Sequence, residues 1–446
     1  MRSLWIAPAL LAVVSAATDA ATDAATDSAT TAAGGTALTI SGTRDPLSID
    51  VATGSVTYVS VTATSTLPTT GSITAISTAS KGNHSESTTS SDTMTVLVGS
   101  QGPSNATGSG TATSATPEPT NTQPCNGYVE FCARNYSNIT YVAAHNSPFD
   151  RKGNLASNQQ FPVTTQLNDG IRMLQFQAHY QNNTMYLCHT SCSLLNVGTL
   201  EAYFTTVVQW LQQNPYEVIT ILMGNYDLVP VGNFTDPIIN SGLSKYVYQP
   251  PKVPMGMDDW PPLSNLILTG KRAVVFMDYQ ANQTAVPYIL DEFSQLWETP
   301  FSPTNRSFPC TVQRPPNLDS ADAKNRLYMA NHNLNLEVSF AGIDLLVPNT
   351  ALLNETNAVS GFGSIGDMAR NCTVDWGRPP NFLLVDYYNA GSTNGSVFEV
   401  AAQMNNVTYN GHCCGTTTSA ASMSSPLDKI SGVLMAIAVS VILTWM

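Results

Sequence analysis

The 446-residue chain is long enough for two or three domains, but its composition is too uneven for an even division. A net charge of −13 with no lysine- or arginine-rich run excludes a nucleic-acid partner. The same acidic balance gives no long-range attraction to anionic membranes, so any lipid substrate must be recognised by local contacts.

The chain opens with MRSLWIAPALLAVVSAATDA: Arg2, an apolar stretch over 4–14, then small residues. This predicts a secretory signal peptide over 1–17, cleaved near Ala16 or Ala17, with an apolar core too short to span a bilayer. Residues 18–123 are dominated by Ser, Thr, Ala and Gly, begin with the repeat TDAATDAATDSATTAA and end with TSATPEPTNTQP. So little bulky apolar surface cannot offset the entropy of ordering, and a disordered, O-glycosylated stalk is expected. Its middle (VTYVSVTAT, TMTVLVGS) alternates like strands and leaves a small β-module as the alternative.

The texture changes over 124–414, where aromatic and branched aliphatic residues become frequent. ITYVAAH and RMLQFQAHY read as strands. Leu200, Phe204, Val207, Val208 and Leu211 then form one buried face of a helix over 200–213, with Thr199 at its start and Asn214-Pro215 at its end. EVITILM (217–223) is a continuous apolar run, as in a strand covered on both faces, and KRAVVFMDY (271–279) repeats it. A helix is expected around 286–297, then strands at RLYMANH (326–332) and PNFLLVDYY (380–388). Alternating buried strands and helices predict an α/β fold, a TIM-type (β/α) barrel with room for an irregular strand count. An open doubly wound sheet is the alternative, and the absence of a Gly-rich loop after the first strand argues against a nucleotide-binding form of it.

Residues 415–429 read as a linker with a candidate anchor site at Ser419, Ala420 and Ala421 and a polar spacer, SMSSPLDK. The uncharged apolar tail 430–446 follows. Small residues, spacer and tail form the layout of a glycolipid (GPI) anchor signal, with a single-pass helix as the alternative. Either would attach the chain to a membrane. Twelve Asn-x-Ser/Thr sequons fit a secreted glycoprotein. The eight cysteines should then pair in an oxidising compartment, Cys125 with Cys132 and Cys188 with Cys192 as close neighbours. The pairing of Cys310, Cys372, Cys413 and Cys414 stays open. No zinc-type CxxC pairs occur, and no metal site or cofactor is expected.

Strand alternation assigns directions to the polar residues. His145 shares a face with Ala143 and Tyr141. Met173, Gln175 and Gln177 share a second, opposite Leu174, Phe176 and Ala178. Phe382, Leu384 and Asp386 share a third. His145, the glutamines and Asp386 are therefore aimed into the barrel, at strand C-terminal ends where barrel enzymes keep their chemistry. A Cys188–Cys192 bridge would pin His189 in a rigid loop, suited to a general acid. Asp278 and His332 stand at apparent strand ends and could line the same pocket. His179, beyond the glutamines, reads equally as a loop residue, and Arg172 as structural.

AAHNS, GIR with its polar-alternating strand, LCHTSC, NPYEVITILMGN and PNFLLVDYYNAG occur in this order. Together they resemble the phosphatidylinositol-specific phospholipase C superfamily, especially its secreted fungal-type PLC-like phosphodiesterases, over residues 125–414. The resemblance implies cleavage of a phospholipid or other phosphodiester. His145 would be general base toward the attacking hydroxyl, the inositol 2-OH in the usual substrate. His189 would be general acid on the leaving oxygen, and Asp386 the carboxylate orienting His145. Three positions depart from the pattern. Asn146 stands where active relatives often carry aspartate, and Gln175 replaces an acidic residue. Gln177 stands where calcium-dependent members place a metal-binding aspartate and bacterial members a phosphate-binding arginine. Neutral amides there argue against calcium and remove the charge opposite the phosphate. Arg151 and Lys152 are the candidate replacement cations, with Asn146, Gln175, Gln177 and Arg151 as the substrate-binding set. The alternative is a catalytically degenerate barrel serving as a glycosylated surface or ligand-binding protein.

Overall fold

The structure, a computed structural model, describes residues 65–66, 122–340, 343–411 and 413–415. The segments read as signal peptide, linker and apolar tail, and nearly all of the expected stalk, lie outside these residues apart from Gly415 at the start of the linker. Within the stalk, Ser65 and Thr66 pair antiparallel with Val253 and Lys252.

Twelve strands of the domain position the site: β1 (Tyr141–Ala144), β2 (Met173–Gln181), β3 (Thr184–His189), β4 (Leu195–Thr199), β5 (Ile219–Asn225), β6 (Ala273–Met277), β7 (Leu290–Asp291), β8 (Leu296–Glu298), β9 (Leu327–Asn331), β10 (Asn335–Phe340), β11 (Ile343–Pro348) and β12 (Phe382–Val385). Hydrogen bonding runs in the order β8-β9-β12-β1-β2-β5-β6-β7, with every neighbour parallel. Read around from β1, this is chain order. The two ends of the path, β7 and β8, are joined by the single helical turn Glu292–Gln295. This is a curled α/β sheet of the expected barrel type, irregular at the β7–β8 join. The β3–β4 hairpin extends β2 on its antiparallel side, and β10–β11 forms a separate hairpin.

The predicted helix around 286–297 is corrected to β7, one turn and β8. Its apolar residues face two ways: Leu290 and Leu296 join the barrel interior, whereas Ile289 and Trp297 join the outer layer. That division has the period of a strand. Helix α1 (Leu200–Gln213) forms as read, with the Thr199 side chain accepting from the Ala202 N–H and Leu200, Phe204, Val207 and Leu211 fully buried. It packs against the outward residues Phe176, Ile221 and Met223 in one apolar layer. The inward residues Tyr141, Ala143, Met173, Leu222, Phe276, Met329, Phe382 and Leu384 form a second layer, together with Phe131, Tyr136 and Trp260 from the N-terminal-face segments.

Above this apolar interior lies a polar layer. Gln175, Gln177, Asp278, Glu292, Glu298, Asn331 and Arg314 surround a cavity of about 10 Å³, room for about one water. Arg314 bonds Glu298 at 3.1 Å and the Tyr279 hydroxyl at 2.7 Å, and its guanidinium lies 4.4 Å over the Phe301 ring. Burial raises the acids here: Asp278 to about 6, the neighbouring Asp291 to about 7, and Glu292 well upward, where the adjacent Glu298 adds to the effect. Gly224 leaves the space that Gln177 occupies, because a Cβ there would collide with the Gln177 carboxamide.

The disulfides Cys125–Cys132 and Cys188–Cys192 form as expected, and the remaining four cysteines pair as Cys310–Cys372 and Cys413–Cys414. No helix among the described residues is long and apolar enough to cross a membrane.

Two outcomes follow from the polar layer. Between about pH 4, where unfolded carboxyls titrate, and pH 7, the folded chain keeps protons that the unfolded chain releases. Stability contributed by these acids is thus present at about pH 4 and lost as pH rises through their folded values. Urea unfolding across pH 4–7.5 should show this decline, and Glu292→Gln should flatten it. Gly224→Ala, which must displace a buried glutamine, should lower stability by about 1–3 kcal/mol in the same assay.

Candidate active site

The first and last barrel strands meet side by side, and the polar residues that leave their C-terminal ends meet with them. The His145 N–H donates to the Val385 carbonyl at 3.0 Å, which continues the β1–β12 ladder by one residue. The chain then turns at Asn146, whose φ of 49° is left-handed, a conformation asparagine tolerates better than most residues. The Asn146 N–H donates to Gln175 Oε1 at 2.8 Å, and the Ser147 N–H to the Gln175 carbonyl. Gln175 thus anchors the turn that follows the histidine.

His145 Nδ1 lies 2.7 Å from Asp386 Oδ1, and both residues are 2% exposed. Asn158 Nδ2 donates to the same carboxylate oxygen at 2.9 Å and sits 3.2 Å from His145 Nδ1. The next residue, Gln159, donates to the carbonyls of both His145 and Val385, and Asn357 donates to the Asp386 carbonyl. With Nδ1–H directed at the carboxylate, Nε2 carries the lone pair. Two amides approach it: Asn146 Nδ2 at 3.2 Å and Asn333 Nδ2 at 3.5 Å.

His189 is the last residue of β3, inside the loop closed by the Cys188–Cys192 bridge. Its Nδ1 is 3.1 Å from the Thr190 hydroxyl. Its ring stands edge-on to Phe149, with centroids 5.2 Å apart. Phe149 belongs to the turn after His145, its N–H donating to the Asn146 carbonyl. His189 is also 2% exposed. The Cys188–Cys192 hairpin and the His145 turn are therefore packed together, with both imidazoles beneath the surface.

Gln175 and Gln177 line the polar cavity, on the face strand alternation gave them, and Asp278, expected at a strand end, lines it too. Arg151 and Lys152 are exposed, and Arg151 donates to the Asn196 carbonyl at 2.6 Å. The guanidinium at the cavity is instead Arg314, which sequence reasoning missed because it comes from a loop outside every strand and motif. Its two carboxylate neighbours, Glu298 and Asp278, take up its charge. His332 does not line the cavity. It faces the outer layer, bonded to the Thr356 carbonyl and packed on Phe308, and burial lowers its pKa to about 3. Arg172 is structural, paired with Glu217 at 2.7 Å.

A calcium ion placed on Asn146, Gln175 and Gln177 would find no carboxylate among those three residues. Asn146, Gln175 and Gln177 offer neutral amides, and Gln175 Oε1 already accepts the Asn146 N–H. Among the described residues, Asp169 with Cys413 and Cys414 has metal-compatible spacing, but both sulfurs are in a disulfide.

The family model described as PI-PLC X 1 matches residues 131–405. An "Uncharacterized secreted protein" of Arthroderma benhamiae is 65% identical over 356 residues, covering 78% of this chain and 80% of that one. A "PI-PLC X domain-containing protein 1" of the same organism is 39% identical over 284 residues, covering 63% and 89%. Among solved structures, the phosphatidylinositol-specific phospholipase C of Listeria monocytogenes overlays 61% of this chain and 95% of its own, with 14% identity and a TM-score of 0.42. With its model matched across most of the domain, the chain belongs to the PI-PLC X family of the phosphatidylinositol-specific phospholipase C superfamily.

Proposed function

We propose that this chain is a secreted or surface-anchored, metal-independent phosphodiesterase that cleaves a phospholipid-type phosphodiester by two-histidine acid–base catalysis. The buried His145–Asp386 pair carries the reading. A carboxylate on Nδ1 holds the ring in the tautomer whose Nε2 can take a proton. In the reaction, Nε2 removes the proton of the attacking hydroxyl as its oxygen bonds to phosphorus. The bond from phosphorus to the leaving oxygen breaks, and His189 protonates that oxygen. Each proton transfer contributes about 10²–10⁴ in rate. Attack requires the Asn146 and Asn333 amides to yield Nε2 to the substrate hydroxyl. The name of the 65%-identical relative supports secretion. Attachment through the anchor signal at 430–446 is part of the same proposal.

A catalytically silent, ligand-binding barrel is the second reading. Specific observations favour it: both imidazoles are buried, and the adjacent cavity holds about one water.

The two readings separate in one assay. The purified chain with excess EDTA should cleave a soluble inositol phosphodiester, and His145→Ala and His189→Ala should each abolish turnover. Asp386→Asn, which releases the tautomer, should lower kcat by about 10²–10⁴. Saturable binding of the diester without turnover by the unsubstituted chain would establish the silent barrel instead.

A further inference from the structure

Strand β2 continues past Gln177, and its next residue on the inward face is His179. His179 is 5% exposed. Its Nδ1 lies 3.1 Å from Asp227 Oδ1, and the other oxygen of that carboxylate accepts the Tyr180 N–H at 2.6 Å. The Tyr226 ring lies beside it, centroids 4.5 Å apart. Nε2 is buried and has no hydrogen-bond partner among the described residues. An unpaired buried ring nitrogen costs free energy unless something arrives to bond it.

The wiring repeats that of His145: carboxylate on Nδ1, Nε2 directed elsewhere. The setting differs in charge. The layer below sets Asp278 and Glu298, beside a Glu292 whose carboxyl burial keeps protonated, against Arg314, and its cavity admits about one water. An anionic group is kept out of that layer by both charge and space, so a phosphate must be held nearer the rim. His179 is the next residue on that face of the strand, two residues or about 7 Å beyond Gln177 and just before the strand's half-exposed end at Tyr180.

We propose that His179, oriented by Asp227, is the phosphate-contacting imidazole of this site, supplying at the rim the positive charge that the neutral Gln177 lacks. The proposal rests on the phosphodiesterase reading of the site and adds to it the group that recognises the anion. His179 contacts the phosphate through Nε2–H when protonated, and Asp227 acts as a positioning residue. The titratable groups facing the ring are Asp227 and Tyr226 from the segment after β5 and Tyr186, which pairs with it from β3. Burial lowers the His179 pKa while Asp227 opposes the shift. The ring is therefore neutral in the empty site near neutral pH and gains its proton more readily as pH falls or an anion arrives. Phosphate recognition at this position is accordingly stronger in mild acid.

The test is binding of a non-hydrolysable phosphonate monoester of inositol, singly charged throughout, by calorimetry at pH 5.5 and pH 8.0. The unsubstituted chain should bind about tenfold more tightly at pH 5.5, the gain of a charge-assisted over a neutral hydrogen bond. His179→Gln should bind with the weaker affinity at both pH values. Asp227→Asn should move the tightening to lower pH, and it carries the test if the glutamine variant fails to fold by thermal melting. His145→Ala should keep the pH dependence. Equal affinities for the His179→Gln variant and the unsubstituted chain, loss of the pH dependence in His145→Ala alone, or no binding by any form would each overturn the proposal. The readout is independent of turnover: pH-dependent binding through His179 without cleavage leaves the inference standing and removes the enzymatic reading. Cleavage with binding indifferent to His179 does the reverse.

Discussion

The bond between His145 and Asp386 spans 241 positions of sequence and lies where the last barrel strand meets the first. Its geometry depends on the sheet closing in the correct register. The β12–β1 ladder sets Val385 beside Ala144, so the next residue of each strand projects its polar side chain into the same small volume. A shift of one residue in either strand would turn one partner toward the helices. Neighbouring amides strengthen the arrangement. Asn158 and Gln159, consecutive in a loop, hold the carboxylate and the two strand-end carbonyls, so the loop reads the seam as a unit. These bonds favour one geometry over many, while Asp386 Oδ2, Asn158 Oδ1 and Gln159 Oε1 remain without a hydrogen bond among the described residues.

The interior below the mouth changes character from bottom to top. Aromatic and aliphatic side chains fill the lower levels, and carboxylates, amides and one guanidinium occupy the level beneath the site. Charge in this level is unevenly distributed. On β2 both cavity-lining positions are neutral, while the acids come from the β6–β8 side and hold Arg314. Under the proposed phosphodiesterase reading, positive charge near the phosphate would come from a group that gains it conditionally. That requirement gives weight to a buried histidine with a carboxylate behind it and an unpaired nitrogen in front.

The short disulfide at Cys188–Cys192 serves the site through a different constraint. A closed loop of five residues leaves His189 little freedom, and Phe149 fixes its ring from the neighbouring turn. Because Phe149 is held through Asn146, the orientations of the two histidine-bearing segments are linked by packing as well as by backbone.

Much of the barrel was legible in the residues. Helix α1 has a one-sided apolar pattern and local end signals, and its bounds were read correctly. The buried strands are runs of branched and aromatic residues whose alternation correctly aimed Gln175 and Gln177 at the interior. Local periodicity failed at 286–297, where two very short strands flank one turn and neither is long enough to show its period. The hairpins β3–β4 and β10–β11 were also missed, since their half-exposed residues carry weak patterning. Arg314 and Asn158 reach their places from loops, and no spacing along the chain marks a loop residue that acts at a distance. Sequence by itself determined helix α1, the long buried strands, their facing and the motif-bearing residues, because those follow from nearest-neighbour backbone geometry. Only the tertiary structure decided that His332 turns outward, that Arg151 stays at the surface, and that His179 meets Asp227, because each depends on what another segment brings close in the folded, curled sheet.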